Sequence, residues 1–468
     1  MKTYIKTGII FLAAMLSTVS CTKELDEIKP QQSIDSDIAL KTSSGVVNTL
    51  LGAYSTIAFG VTATAGTLGS LFGTNYNLVG ELFVNTGDIT WSGSFAPYRD
   101  INNKNATATN GNAANDWAAA YNAINICNNV EANIGVVDAA VKDQILGEAR
   151  FIRGIVYFEL IRYFAQPWTG GPSGTNTQPG VPLIITPTSS VGSELNVSRN
   201  TVAEIYTQII ADLSSAESLL NETMDNGRAT RYAASAFLSR IYLAQGDWQK
   251  AATSANTVIT SGNYSLVQNI AQAFNNAANS SEDIFAIQQN AQANAGTANA
   301  GLTTFYASLP GIGRADVDIN ANHLLIYEAG DARRDLFYVG TGDKPGPLRT
   351  SKWVDRFANI PIMRLAEMYL TRAEANFRGG TIAGSPAPAE DVNTIRVRSG
   401  LSAIAVNNVD QILLERRREL AFEGDRYNVI KRTQQNVGAR AYNDPKLIYP
   451  IPQFDRDANP NLEQNATY

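Results

Sequence analysis

Apolar residues return every three or four positions in three well-separated stretches of this chain: Val47, Leu50, Tyr54 and Ile57; Trp117, Tyr121, Ile124 and Cys127; and Val202, Ile205, Ile209, Leu213, Ala216 and Leu220. A helix advances about 100° per residue, so each set lies on one face of an α-helix, whereas a strand sends alternate residues to opposite sides. Boundary chemistry agrees with the period. Thr201 and Glu204 have capping-box spacing ahead of the third set, and Gly379 with Gly380 is expected to stop a helix that begins near Pro361. The stretch from Gln144 to Phe164 is apolar on more than one side, through Ile145, Ala149, Ile152, Ile155, Val156, Phe158 and Leu160. That pattern predicts a helix buried at the centre of the core.

The helices also read as pairs. Ala234, Phe237, Leu238 and Ile241 line one face, Gly246 and Asp247 supply a turn and a cap, and Trp248, Ala251, Ala252, Ala255 and Ile259 line the next face. This is a helical hairpin of tetratricopeptide-like length. A second runs from Ile362, Leu365, Tyr369 and Ala373, past Pro386 and Pro388, into Val392 and Ile395. Self-similarity between the pairs is weak, which argues for stacked hairpins without a regular repeat. Between the helical blocks lie residues 60–115, 166–200 and 288–351, rich in Gly, Asn, Thr, Ala or Pro. Loops of that length carry function or lack order. Ile284 to Ile287 and Leu336 to Val339 read as short strands within this material. The expected fold class is therefore mainly α, a tetratricopeptide-like helical-hairpin platform with long irregular loop regions and minor β, in one domain over residues 40–468. The prolines at 450, 452 and 460 predict that the segment from Leu447 to Tyr468 lies across the surface.

At the other end, Lys2 and Lys6 precede an apolar run from Ile9 to Leu16, then Ser17, Thr18 and Ser20 stand before Cys21. This is the layout of a secretory signal over residues 1–20, and the run is too short to span a bilayer. A cysteine where cleavage falls points to lipidation of Cys21, with residues 21–39 as a tether; the alternative is a spectator cysteine, and Thr18 stands where lipoprotein signals usually carry Leu. Several acyl chains on one residue hold a protein firmly, since each buried methylene contributes about 0.8 kcal/mol. The net charge of −6 becomes more negative once Lys2 and Lys6 are removed, which excludes the basic footprint that nucleic acid requires. Of the two cysteines, acylation of Cys21 leaves Cys127 without a disulfide partner in the chain.

Three runs carry a family resemblance: Glu148 to Arg153 onward to Tyr157 and Phe158; Arg364 to Tyr369 followed by Ala373, Glu374 and Ala375; and Glu415 to Arg426, reading ERRRELAFEGDR. The ending adds Tyr449 to Pro452, Asn459, Pro460, Gln464 and Asn465. With these runs the chain resembles the SusD/RagB family of outer-membrane nutrient-binding lipoproteins of Bacteroidetes, over nearly its whole length beyond the signal. The resemblance implies a tetratricopeptide-like platform, an outer-membrane location facing the cell exterior, and a SusC-like TonB-dependent transporter as partner, for which such proteins act as lid and ligand-capturing subunit.

Candidate chemistry is sparse. His323 is the only histidine, so a two-histidine metal site cannot form, and Cys127 falls on an apolar helix face where a cysteine acts as a small hydrophobe. Asp316, Asp318 and Asn320 mimic the start of a calcium loop, but Ala321 and Tyr327 replace the required Gly and Glu. No metal or cofactor is called for. Glu415, Glu419 and Glu423, interleaved with Arg416, Arg417 and Arg418, suit a buried ion-pair brace better than an active site, as do Glu367 and Glu374 near Arg364 and Arg372, and Gly424 is expected to end the helix that carries the first set. A glycan site needs flat aromatic faces with hydrogen-bonding groups beside them. Trp91, with Phe95, Tyr98 and Arg99 close by in a Gly/Ser-rich stretch, is the tryptophan without an obvious core role, and Tyr306 and Arg314 are the counterparts in the third loop segment. Local loop packing is the competing role for Trp91. The expected function is surface capture of a glycan or oligosaccharide without covalent chemistry. The alternatives are a glycoside hydrolase on a helical scaffold, needing two carboxyl groups about 5–9.5 Å apart, and a module that binds protein or peptide.

Overall fold

The computed structural model describes residues 39–60, 62–63, 66–67, 70–188, 196–224, 227–295 and 300–468. The signal-like segment and Cys21 lie outside the described residues. Helix α1 (Ser43–Phe59) starts on Thr42, whose hydroxyl accepts from the Gly45 amide, and is followed by a two-residue ribbon of β1 (Thr62–Ala63) and β2 (Gly66–Thr67). Then come α2 (Tyr76–Phe83), β3 (Ile89–Trp91), α3 (Ala96–Asn102), α4 (Gly111–Ala132) and α5 (Lys142–Phe164). The middle of the chain gives α6 (Val202–Leu219), α7 (Arg231–Gln245), α8 (Trp248–Thr260), β4 (Asp283–Ile287), α9 (Leu302–Tyr306) and β5 (Val317–Ile319). The remainder gives β6 (Phe337–Val339), β7 (Leu348–Thr350), β8 (Ile360–Arg364), α10 (Leu365–Gly379), α11 (Pro388–Arg398), α12 (Val409–Glu419), α13 (Asp425–Arg432) and α14 (Gln453–Ala458).

The long helices pack in sequence order: α1 on α4, α4 on α5, α5 on α6, α6 on α7, α7 on α8, α8 on α10, and α10 on both α11 and α12. This is the stacked-hairpin platform that the periodicity predicts. In the α7–α8 hairpin, Gly246 takes a left-handed conformation (φ 74°) and Asp247 accepts from the Lys250 amide, so turn and cap fall where the sequence placed them. The capping box at α6 forms as well, with the Thr201 hydroxyl accepting from Glu204 N at 3.2 Å and Glu204 accepting from Thr201 N at 2.7 Å.

Helix α5 is the core helix, buried from Ile145 to Phe164 save for a few positions. Each fully buried large apolar side chain on it, such as Phe151 and Phe158, contributes roughly 1.5–3 kcal/mol. Gly154 sets how closely α6 approaches, since a Cβ there would stand 2.9 Å from the Leu213 side chain. Cys127 is buried and free, on the face where its period put it.

Three expectations need correction. Pro361 does not begin a helix: Ile360–Arg364 is strand β8, paired antiparallel with β4, and α10 starts at Leu365. Two β-branched residues at 360 and 362 favour the strand, and in a two-stranded sheet a proline can face the free edge without costing a ladder bond. Gly424 does not end α12, which stops at Glu419; it sits at φ 78° as the residue before α13. Residues 60–115 are not irregular throughout, because a π-turn at Leu71–Asn75 leads into α2, whose residues are all buried.

The run ERRRELAFEGDR forms the ion-pair brace at the junction of α10, α12 and α13. Arg364 donates to Glu423 at 2.8 Å, to Glu282 at 2.8 Å and to Glu419 at 3.1 Å. Arg416 donates to Glu367 at 2.9 Å and to Asp425 at 2.6 Å, and Arg333 pairs with Asp331 at 2.8 Å and Glu415 at 2.7 Å. All of these guanidiniums are buried.

Candidate ligand-binding site

Strands β3, β5, β7 and β6 form, in that order, an antiparallel sheet that joins the first and third loop segments. Ile89 pairs with Ile319, Thr90 with Asp318 and Trp91 with Val317. Alternation along β3 turns Ile89 and Trp91 inward and Thr90 outward. Trp91 is therefore 8 % exposed, its ring 5.1 Å from Tyr98 and 5.9 Å from Phe305, and its Nε1 is buried without a hydrogen-bond partner. Tyr98 is buried too, with its hydroxyl donating to Asn75 Oδ1 at 2.6 Å, and Asn75 Nδ2 donating in turn to Asp116.

The surface above this pair belongs to Phe95 and Arg314. Phe95, at the start of α3, is 44 % exposed, and the Arg314 guanidinium lies 4.6 Å from the centre of its ring and 5.5 Å from that of Phe305. Arg314 is held by three hydrogen bonds. Its Nε and Nη2 donate to Asp316 Oδ2 at 2.8 and 2.5 Å, and its amide donates to Thr304 O at the end of α9. Ala315, between them, adopts a left-handed conformation (φ 59°) that the Ala315 amide to Thr304 O bond helps to keep. Such a conformation costs a non-glycine residue about 1–2 kcal/mol and persists only where neighbours impose it. Beside the guanidinium and its Asp316 partner stand Lys344, with its Nζ 3.5 Å from Asp316 and 3.1 Å from Ser92 O, and Asp318, which accepts from Ser92 Oγ at 3.1 Å, while Arg99 is exposed on α3. Beneath Asp318, Arg349 is fully buried at 2.7 Å from its carboxylate.

The structure thus gathers Trp91, Phe95, Tyr98 and Arg314 in one cluster, with Arg99 exposed one turn further along α3. Tyr306 is not part of it. Its side chain is fully buried, faces Phe422 at 5.8 Å and offers no surface to a ligand, while its neighbour Phe305 takes the place in the cluster. Phe305, Asp318 and Lys344 are the additions that sequence reasoning missed. The Ile-Thr-Trp and Val-Asp-Ile alternations of β3 and β5 were the available signal, but three residues are too few to call a strand pair. Asp316, Asp318 and Asn320, the calcium-loop mimic, instead serve Arg314, Arg349 and the backbone of Gly87.

What the arrangement offers is an aromatic face stacked on a cation, with hydroxyl, ammonium and carboxylate groups around it on an open surface. Two family models match the chain, one described as starch-binding, associating with outer membrane, over residues 71–243, and one described as SusD family over residues 349–446. SusD-like protein P2 of Formosa agariphila is 25% identical, across 96% of this chain and 94% of that protein. Starch-binding protein SusD of Bacteroides thetaiotaomicron is 34% identical over 125 residues, which is 24% of this chain and 22% of that protein. A SusD superfamily structure from Bacteroides thetaiotaomicron superposes with a TM-score of 0.79 at 26% identity, covering 91% of this chain and 99% of that one. The chain belongs to the SusD/RagB family. The family is associated with the outer membrane, and its members are binding proteins. No helix among the described residues is long and apolar enough to cross a membrane.

Proposed function

We propose that this chain is a lipid-anchored outer-membrane protein that binds a glycan or oligosaccharide at the cell exterior on the Phe95–Arg314 face and delivers it to a SusC-like TonB-dependent transporter. The observation that carries the reading is the exposed Phe95 ring stacked on Arg314, in a chain matched by a family model described as starch-binding. A flat ring pairs with sugar C–H faces, while Arg99, Arg314 and Asp318 supply hydrogen bonds to hydroxyls. Trp91 and Tyr98 hold the ring's base in place from below. The work is capture, with no bond of the ligand broken.

The test uses the purified full chain in native gels cast with a panel of polysaccharides. Retardation by at least one polymer, without release of reducing sugar, is expected. Phe95→Ala should weaken it about tenfold, or roughly 1.4 kcal/mol, as for an interface anchor. Retardation unchanged in both Phe95→Ala and Arg314→Ala would move the site elsewhere.

Anchoring is tested through Cys21, the lipidation site under this reading. Cys21→Ala should shift the protein out of the membrane fraction and abolish its co-purification with a large barrel protein. Retention in that fraction defeats the anchor.

A further inference from the structure

At the Asp88 end of β3, away from Phe95, a cavity of about 270 Å³ opens between α2, α12, α13 and the turn that carries His323. Its floor is apolar and buried, formed by Leu413, Leu420, Ala421, Phe422 and Ile430. One wall is cationic. Arg417 and Arg426 both donate to a single carboxylate, Asp88, the Arg417 bond being 2.8 Å, so two guanidiniums share one anion. The Arg417 Nε is buried and has no hydrogen-bond partner among the described residues. At the base, Glu81 is 5 % exposed and makes no hydrogen bond or ion pair among the described residues, with its Oε1 wholly buried. Phe422 adopts a left-handed conformation at φ 62°, which is costly for a bulky residue.

We propose that this cavity is a second ligand site, for a small carboxylate on an apolar body. An apolar cavity of roughly 150 Å³ holds benzene, so the volume here admits a ring-sized body and a carboxylate together. Guanidiniums take carboxylates in forked pairs, and two of them with one resident anion leave donors for a second. A sugar would set its hydroxyls against the apolar floor, and a cation would meet the arginines.

Glu81 suits an anion too. Burial pushes its carboxyl up to about 7, against the opposing pull of Arg426 and Arg417, so below that pH it is a neutral acid able to donate a hydrogen bond. The other groups facing it are Asp88, Asp425 (already paired with Arg416), Tyr163 and Tyr306, while His323 lies 3.6 Å from Asp88, its imidazole pulled below the usual range by burial. Asp410 stands at the rim.

The probe is phenylacetate, titrated calorimetrically into the full chain at pH 6, with phenylacetamide as its neutral counterpart. Saturable binding of phenylacetate, at least tenfold tighter than the amide, is expected. Arg417→Gln, at a half-exposed wall position, should weaken it at least tenfold, and Val429→Phe, which fills the cavity, should abolish it, with thermal midpoints unchanged. Raising the pH to 8 should weaken binding as Glu81 ionises, and Glu81→Gln should remove that dependence. No saturable heat, equal binding of the amide, or indifference to both variants overturns the proposal. Polysaccharide retardation is read in parallel and should be untouched by either variant, so failure here and failure of the Phe95 site are told apart.

Discussion

Arg364→Leu is expected to lower the free energy of unfolding by roughly 3–5 kcal/mol, the cost of leaving buried charges uncompensated. Against the roughly 5–15 kcal/mol that stabilises a typical domain, that is a large share. Among the described residues, Arg364 is the only side chain that touches Glu282, Glu419 and Glu423 together. Without it, Arg398 must answer for Glu282 and Glu419, and Lys352 for Glu423, at 2.5, 2.6 and 2.6 Å. Denaturant midpoints measure the effect, and a loss under about 1 kcal/mol would mean those two cations suffice. Acid should act on the same brace. Burial raises Glu367 and Glu374, but Arg240 and Arg416 in one case and Arg432 in the other pull them further down, to about 2 from the usual 4.5. A carboxylate held below its unfolded value stabilises fully above about pH 4.5 and loses that contribution as pH falls toward 2. The thermal midpoint should therefore drop across that window, and less steeply in Glu374→Gln.

Gly424→Ala is expected to cost roughly 2–5 kcal/mol, from a left-handed penalty of about 1–2 and an overpacking penalty of about 1–3 kcal/mol. The turn between α12 and α13 rests directly on α2: a Cβ on Gly424 would stand 2.9 Å from Asn77 Cα and 3.1 Å from Tyr76 O. Backbone cannot move aside as a side-chain tip can. Gly438, at φ 59° with nothing within 4 Å of its Cβ position, separates the two terms. Gly438→Ala should cost only the conformational part, about 1–2 kcal/mol. Equal losses at the two positions would show that the contact with α2 carries no weight.

The platform was legible where one physical signal dominated. Apolar residues on more than one side marked α5 as central, and Gly246 with Asp247 marked the α7–α8 turn, because glycine and aspartate do there what few other residues can. Strand β8 was hidden because Ile360, Ile362 and Leu365 also fit a helical reading, and the pairing with β4 that decides the matter comes from residues far away in the chain. Helix α2 escaped because its surroundings are rich in glycine and threonine while its own residues are buried on every side, leaving no polar face to show a period. At the ligand face, adjacent side chains on one helical turn point about 100° apart, so nothing local chose between Phe305 and Tyr306. Trp91 shows the same limit: its burial follows from a strand alternation that only the partner β5 makes visible.

The sheet that unites this face has a thermodynamic consequence. Thr90 and Asn320, bonded across it, are 230 residues apart in the chain. Closing a segment of that length costs entropy that grows as the logarithm of its length, and strands of three residues return little for it. Any local opening of the sheet would part the two loop segments that carry Phe95 and Arg314. A ligand gripped by Phe95 on one side of the closure and Arg314 on the other is a clasp across it. At a hundred times its dissociation constant it would hold the face shut by about 2.7 kcal/mol, so occupancy is written into the rigidity of the sheet as well as into the contacts themselves.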